Sequence, residues 1–339
     1  MTTTPNGATD RSIPEDVVRA IDAMCAPIMI SHVVPDADAL GSMFAMARSL
    51  ASDRCQPKVS LPAGSLSKRL SFMFDWAQVE VASETDFSSA DGFIALDTAK
   101  KPRCNIVPAV KETDWSAGKT VINLDHHATN TAFGTINWIA GDASSTCEMV
   151  GQLLLATDRR IDAITASLLY AGIQTDTLGF SLPTTGPATL KTASRLAALG
   201  AKVGELGERT DRNQTQAEFN LLRTVYANTK AVAGGRIAYS SASHDEIRSA
   251  GCTAADIDDQ INIPRSLNGV VLAMLFTEGN PGKTRINFRG SGDVTVVELA
   301  GRFGGGGHAQ AAGAILSCPL EDAIAKVLPE AEAHLKNFA

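Results

Sequence analysis

The sequence has no closely spaced cysteines, although it contains six of them. They stand at positions 25, 55, 104, 147, 252 and 318, so the chain lacks a C-x-x-C pair and any spacing typical of a zinc ribbon. We interpret the cysteines as reduced thiols, mostly buried as small apolar groups, and we therefore predict a cytoplasmic protein.

Long apolar segments and an excess of positive charge are also missing. No run of about 18 apolar residues occurs, which predicts that the chain has no membrane span and no membrane partner. The 30 lysines and arginines are outnumbered by 37 aspartates and glutamates, and the net charge is −7. This balance argues against a long electropositive groove, so we expect no long nucleic acid as a partner. A small anionic ligand, held by a few local cations or metal ions, is compatible with it.

The first half of the sequence alternates short apolar runs with helical patterns. Continuous apolar runs predict strands at residues 26–32, 57–61, 92–97 and 120–125. Apolar residues at helical spacing predict helices at residues 38–53, 145–157 and 161–176. Strands of this kind between helices are typical of a parallel sheet covered on both faces, so we predict a doubly wound α/β fold.

The second half predicts a different and smaller unit. Its apolar runs alternate more with polar residues and predict neighbouring strands at 235–243, 269–279 and 284–292, the last two forming a hairpin. We therefore predict an α/β catalytic domain at residues 13–190, a helical linker at 191–230, and a smaller α/β domain with a mixed sheet at 231–339.

Residues of the kind that bind metals stand at the carboxyl ends of the predicted strands. In an open parallel sheet these ends share one edge, and ligands bind there. We expect these residues to form one cluster. Some lie at or just after the end of the first strand, others lie at the ends of two later strands, and one aspartate ends a helix. The members are His32, Asp36, Asp38, Asp97, Asp125, His126, His127 and Asp176.

Gathering several carboxylates in one place is unfavourable unless cations neutralise them. Oxygen ligands mixed with imidazole suit manganese, iron or zinc, and the set is too large for one ion. Two ions roughly 3.5–4 Å apart are a common arrangement for splitting phosphate esters, so we predict a two-metal site. Simpler interpretations stay open here: Asp38 would only cap a helix, and His126 and His127 would be ordinary core or surface histidines.

The stretch "RFGGGGHAQAAG" at residues 302–313 is the other unusual feature. It is not a Walker loop, because no Gly-Lys-Ser/Thr follows. Its glycines allow backbone N–H groups to approach a ligand closely, and His308 follows them. Arg289 upstream offers a planar fork suited to phosphate. We interpret the stretch as part of an anion-binding site; a flexible turn is the alternative.

Five separated stretches together resemble a known family. They are "SHVVPDADALGS", "ALD", "NLDHHATN", "TDTLGF" and "GGGGHAQAAG". In this order they are similar to the DHH phosphoesterase family with its DHH-associated C-terminal domain, and within that family to the oligoribonuclease and pAp-phosphatase type. The resemblance implies two α/β domains with the active site in the cleft between them.

The resemblance also implies a role for each candidate residue. The site would bind two manganese ions, for which magnesium or cobalt could substitute. One ion would be held by His32, Asp36 and Asp97. The other would be held by Asp38, Asp97, His126 and Asp176. Asp125 would orient the site from behind these ligands, and His127 would face the scissile phosphate as a hydrogen-bond donor or general acid. The distal phosphate or nucleotide end of the substrate would be held by Arg289, Gly305, Gly306, Gly307 and His308.

The function implied is a manganese-dependent phosphoesterase. It would degrade short oligoribonucleotides to mononucleotides and dephosphorylate pAp to AMP, with a hydroxide bridging the two ions as the attacking group. Relatives are often dimers, which implies a homodimer. Ala37, Asn287 and Gly290 differ from the residues common in the family, which leaves the substrate preference open. The alternatives are hydrolysis of cyclic di-AMP or pApA, and a non-catalytic nucleotide sensor that keeps the fold.

Overall fold

The structure of the chain, a computed structural model, describes residues 11–106, 110, 114–211, 214–253, 257 and 260–338. The chain divides after residue 213 into two units, each with its own sheet and its own apolar cores. No helix within the described ranges combines the length and the apolar character that crossing a membrane requires.

A sheet of five parallel strands organises the first unit. The strands are β1 (Pro27–Ile30), β2 (Lys58–Val59), β3 (Gly92–Leu96), β4 (Thr120–Asp125) and β5 (Ile136–Ile139). Their order is β2-β1-β3-β4-β5, and every neighbouring pair is parallel. The predicted α/β fold is confirmed. The fifth strand was not predicted, because it is short and three of its four residues are only partly buried.

Helices pack against this sheet. The α-helices described in this unit are α1 (Glu15–Ala23), α2 (Ala37–Leu50), α3 (Ser71–Ala77), α4 (Glu84–Ser89), α5 (Thr146–Ala156), α6 (Ala163–Asp176), α7 (Pro187–Ala198) and α8 (Val203–Asp211). Alternate strand residues enter different cores: Met29 and Ile94 pack with α2, α5 and α6, whereas Ile28 and Phe93 pack with α4. Because both faces of the sheet are covered, its inner strands are apolar throughout.

The strand order changes direction between β1 and β3. β2 lies on one side of β1, whereas β3 and the later strands lie on the other. The connections leave in opposite directions at this point, so the carboxyl ends of β1 and β3 border an open crevice, the usual ligand site in folds of this kind. His32 and Asp36 follow β1, and Asp97 directly follows β3.

A mixed sheet of six strands organises the second unit. The strands are β6 (Lys230–Val232), β7 (Ile237–Ala242), β8 (Leu272–Asn280), β9 (Lys283–Gly290), β10 (Gly306–His308) and β11 (Ala311–Leu316). Their order is β10-β11-β9-β8-β7-β6, and within it β7 and β8 pair in parallel while the other pairs are antiparallel. The predicted mixed sheet is confirmed, and β8 and β9 form the predicted hairpin.

Helices lie against both faces of the second sheet. The α-helices described here are α9 (Gln216–Ala227), α10 (His244–Ser249), α11 (Asn262–Arg265), α12 (Val297–Gly301) and α13 (Leu320–Leu335). Met274 and Phe288 pack with α13, whereas Leu275 packs with α9. The segment 191–230, which we proposed as a linker, contains α8 and α9, and the two units divide between these helices.

Candidate metal centre

Asp36 and Asp38 lie at the start of α2. Asp36 is the N-cap: its carboxylate accepts hydrogen bonds from the backbone N–H groups of Asp38 (3.1 Å) and Ala39 (3.0 Å). It thereby satisfies helix donors that otherwise lack partners. The capping role that the sequence left open for Asp38 belongs to Asp36.

Asp38 is held by a second helix. Its carboxylate is buried and accepts hydrogen bonds from the backbone N–H groups of Thr146 (2.7 Å) and Cys147 (2.8 Å) at the start of α5. The positive end of a helix dipole favours a negative group at this place. The helix α6 also passes close to this carboxylate, because a Cβ added to Gly172 would lie only 2.8 Å from Asp38 Oδ1. Three helices therefore position this carboxylate.

Asp97 occupies the middle of the cluster. It is buried, and its φ of 54° is a left-handed conformation that few residues other than glycine adopt. Its backbone N–H donates to the carbonyl oxygen of Leu124 in β4 (3.1 Å). The two carboxylate oxygens face different partners: Oδ2 lies 3.5 Å from His32 Nε2, and Oδ1 lies 3.6 Å from His126 Nε2. One carboxylate is thus shared between two sets of neighbours.

The six residues implied as metal ligands fall into two groups around this carboxylate. The groups are His32 with Asp36 and Asp97, and Asp38 with His126 and Asp176. Within each group, one nitrogen or oxygen atom per residue lies within 4.8 Å of the others. In the second group, His126 Nε2 is 3.3 Å from Asp176 Oδ2 at the end of α6. Four separate stretches of sequence therefore meet at one end of the sheet.

Asp125 and His127 lie beside the two groups. Asp125 is buried at the end of β4; its Oδ1 lies 2.7 Å from His127 Nδ1, and its Oδ2 accepts a hydrogen bond of 2.5 Å from Asn130 Nδ2. Burial alone would lower the pKa of His127. The hydrogen bond with Asp125 and the charge of Asp97 outweigh burial and raise this pKa to about 9. The carboxylate therefore fixes the orientation of the ring and favours its protonated form.

The carboxylates of the cluster repel one another. Burial, followed by the charge of Asp97, raises the pKa of Asp38 to about 7, and burial with the charge of Asp38 raises the pKa of Asp176 well above its ordinary value. Burial also opposes ionisation of Asp97, but the hydrogen bond with His32 and the charges of the neighbouring histidines lower its pKa to about 2. Divalent cations would relieve this repulsion. The carboxylate and imidazole groups therefore fit two such ions.

Arg289 and His308, which we predicted to bind substrate, share one register in the second unit. Arg289 of β9 lies opposite Ala311 of β11, and His308 of β10 lies opposite the same residue from the other side. The two residues therefore stand in one row across three adjacent strands. The side chain of His308 lies outside the described residues.

The glycine run beside this row forms an edge strand. Gly306 and Gly307 pair with β11, and Gly305 precedes them. Gly307 has a φ of 148°, and an added Cβ would lie 2.6 Å from Ala312 Cα. Only glycine fits this close pairing of backbones.

Sequence reasoning missed the residues that hold the carboxylates from behind. Thr146 Oγ1 donates a hydrogen bond of 3.2 Å to Asp97 Oδ1, in addition to the backbone bond that Thr146 makes to Asp38. Ser145 caps α5 by accepting from the N–H of Glu148. A serine followed three residues later by glutamate is a recognisable helix start. Nothing in that pattern indicates which side chains the helix would face.

Comparisons with known proteins bear directly on this site. Residues 27–173 match the DHH family, N-terminal domain, and residues 234–337 match the DHHA1 domain. The chain is 30% identical, over 318 residues, to the bifunctional oligoribonuclease and PAP phosphatase NrnA of Thermus thermophilus, which covers 92% of this chain and 91% of that protein. The chain belongs to the DHH family. This DHH protein is therefore a hydrolase acting on phosphoester bonds, as predicted.

This DHH protein is also similar to a second curated protein in sequence and to a solved structure in fold. It is 26% identical over 307 residues to the cyclic-di-AMP phosphodiesterase GdpP of Geobacillus thermodenitrificans, covering 86% of this chain and 44% of that protein. The crystal structure of an exopolyphosphatase-related protein from Bacteroides fragilis has a TM-score of 0.84 at 23% identity and covers 96% of both chains. The latter similarity shows the shared fold.

Proposed function

We propose that this DHH protein is a manganese-dependent phosphoesterase that degrades short oligoribonucleotides to mononucleotides and dephosphorylates pAp to AMP. The observation that carries the proposal is the position of Asp97, whose two oxygens face two groups of metal-type ligands. The similarity to NrnA of T. thermophilus supports the substrate class, because it extends over nearly the whole of both chains. Carboxylates mixed with imidazole support manganese over magnesium.

The side chains of the site have two roles: most bind the metal ions, and one transfers a proton. We assign one ion to His32, Asp36 and Asp97, and the other to Asp38, Asp97, His126 and Asp176. When bound, the two ions supply Lewis acidity and lower the pKa of water. His127 donates a proton from Nε2 to the leaving oxygen, while Asp125 holds Nδ1 and thereby the orientation of the ring. The N-terminus of α5 holds the Asp38 carboxylate in place and favours its ionised form, in opposition to the burial that raises its pKa.

The second unit supplies the group that recognises phosphate. Arg289 and His308 stand in one row of the sheet, next to backbone N–H groups of the glycine run. A guanidinium fork and the backbone N–H groups of a glycine-rich segment are suited to a terminal phosphate. We assign the distal phosphate or nucleotide end of the substrate to this row and to Gly305, Gly306 and Gly307.

The test compares four substrates on the manganese-loaded protein: a 5′-phosphorylated diribonucleotide, pAp, cyclic di-AMP and pyrophosphate. We expect fast turnover of the first two and little of the others, measured as product release under identical conditions. The Asp97→Ala variant serves as the matched control, and we expect it to fold and to be inactive. Full activity of that variant would refute the site.

Hydrolysis of cyclic di-AMP or pApA is the second candidate function. The similarity to GdpP of G. thermodenitrificans favours it, although this chain covers less than half of that protein. A preference for cyclic di-AMP among the four substrates would move the protein to this function with the same metal site. Bound manganese without turnover of any of them would favour a non-catalytic nucleotide sensor.

A further inference from the structure

Arg103 is a cation beside the cluster that the roles assigned above do not use. It ends a short 3-10 helix, Lys101–Arg103, and is exposed. Its guanidinium makes no hydrogen bond or ion pair with any residue in the part of the chain that the structure describes. The neighbouring Lys101, in contrast, binds Asp114 (2.8 Å) and lies over the ring of Trp115. The N–H donors of the Arg103 guanidinium therefore remain available to a ligand.

Backbone pairing anchors Arg103 next to the metal-type ligands. His32 and Cys104 form an antiparallel bridge, and the N–H of Asn105 donates to the carbonyl oxygen of Ser31 (2.6 Å). Cys104 is buried in the core that contains Phe93. Moving the segment around Cys104 away from the sheet would expose this apolar side chain to water, which is unfavourable. The residue that precedes this anchor is Arg103.

The bridge sets the position of Arg103 relative to the cluster. Arg103 directly precedes Cys104, the residue that pairs with His32, so its backbone lies beside this metal-type ligand.

A substrate needs such a cation at this place. The chain has a net charge of −7, and the cluster itself gathers several carboxylates, so an approaching phosphate meets a repulsive surface wherever ions do not neutralise it. A guanidinium offers two parallel N–H donors that match two phosphate oxygens, and it stays charged at every relevant pH.

We propose that Arg103 binds a phosphate group of the substrate on the His32 side of the metal cluster, and that it thereby determines the preference for phosphorylated substrates. This inference rests on the proposed function and adds to it a phosphate contact in the first unit. Arg103 acts in binding the ground state. Its loss therefore raises KM, while kcat and the affinity for manganese stay close to their original values.

The experiment compares Arg103→Ala and Arg103→Lys with Arg54→Ala. Arg54 is an exposed arginine beyond the C-terminal end of α2, about 20 Å from the helix start that carries Asp36. We expect Arg103→Ala to raise KM for pAp roughly tenfold to a hundredfold, the usual effect of losing a hydrogen bond between charged groups. Arg103→Lys should be intermediate because lysine keeps the charge without the fork. Arg54→Ala should match the original protein.

Two titrations by calorimetry separate this role from a structural one and from failure of the proposed function. Manganese binding to metal-free Arg103→Ala should stay within twofold of the original protein, while binding of inorganic phosphate to the manganese-loaded variant should weaken at least tenfold. A KM change below twofold, a parallel loss of manganese affinity, or unchanged phosphate binding would overturn the inference. If the original protein turns over none of the four substrates, the proposed function fails, and the phosphate titration alone then decides the role of Arg103.

Discussion

Asp97 couples the two groups of metal-type ligands, because each of its carboxylate oxygens faces a different histidine. Its backbone is left-handed, with a φ of 54°, directly after the end of β3. Aspartate and asparagine tolerate this conformation better than most residues. The position therefore needs a short side chain, and the chemistry needs a charged one.

Replacing Asp97 by asparagine separates shape from charge. We expect Asp97→Asn to fold, since asparagine is close in size and accepts the same backbone conformation, but to lose the shared ligand of both ions. Manganese stoichiometry, measured by elemental analysis after desalting, should fall below that of the original protein. Activity should decrease by at least ~10³-fold, as the Lewis acidity of the ions contributes several kcal/mol. The exposed Asp53→Asn is the control, and undiminished manganese binding by Asp97→Asn would contradict the assignment.

Thr146 supports Asp97 through its hydroxyl group and Asp38 through its backbone N–H. Thr146→Val removes only the hydroxyl bond at nearly constant volume, and we expect roughly tenfold weaker manganese binding, in line with other residues that orient metal ligands. Thr146→Ser keeps the hydroxyl group and should restore the affinity. Calorimetric titration of the metal-free variants checks this, and equal affinities for valine and serine would show that the hydroxyl bond is irrelevant.

At the scale of elements, the helices α2, α5 and α6 meet at Asp38. The start of α5 donates two N–H groups to the carboxylate, and α6 passes close to it at Gly172. A Cβ at this glycine would contact the Cys147 sulfur as well as Asp38. The approach of α6, which ends at Asp176, therefore depends on the missing side chain.

Gly172→Ala tests this packing. We expect it to destabilise the protein by roughly 1–3 kcal/mol, because the added methyl group overfills a packed site, and to weaken manganese binding by displacing Asp38. Gly207→Ala in α8 is the matched control: no atom lies within 4 Å of its added Cβ, and the change should be neutral or slightly stabilising. Chemical denaturation of both variants measures the difference, and equal stabilities would disprove close packing at Gly172.

At the scale of the whole molecule, the cluster links stability to pH. The pKa of Asp38 is about 7 and that of His127 is about 9 in the folded protein, both above the values of about 4 and 6.5 expected after unfolding. Through these two groups, the metal-free folded state binds more protons than the unfolded state at neutral pH. These two groups stabilise the metal-free fold at low pH, and their contribution is lost as the pH rises through about 7 and then about 9.

Manganese reverses this dependence, because the ligands must lose their protons to bind it. We expect the rise in Tm caused by saturating manganese to be larger at pH 7.5 than at pH 6, and binding to release protons. Calorimetry in buffers of different ionisation enthalpy counts these protons. The Asp38→Asn variant should release fewer of them. Binding without proton release would contradict the charge balance described for the metal-free cluster.

Much of the fold and of the site was predictable because residue type and chain position carry the information. Apolar runs mark the buried parallel strands, and the carboxyl ends of such strands share one edge whatever the loops do. The sequence by itself therefore determined the α/β class and the candidates His32, Asp97 and His126. The order of the motifs also determined the family.

Only the tertiary structure decided how these residues are held. The bond from Thr146 to Asp38 joins positions 108 residues apart, and it uses a backbone N–H that every residue except proline carries. Such contacts leave no mark on the local sequence. For the same reason the close approach of α6 at Gly172 and the exposed cation at Arg103 became visible only when distant segments were brought together in three dimensions.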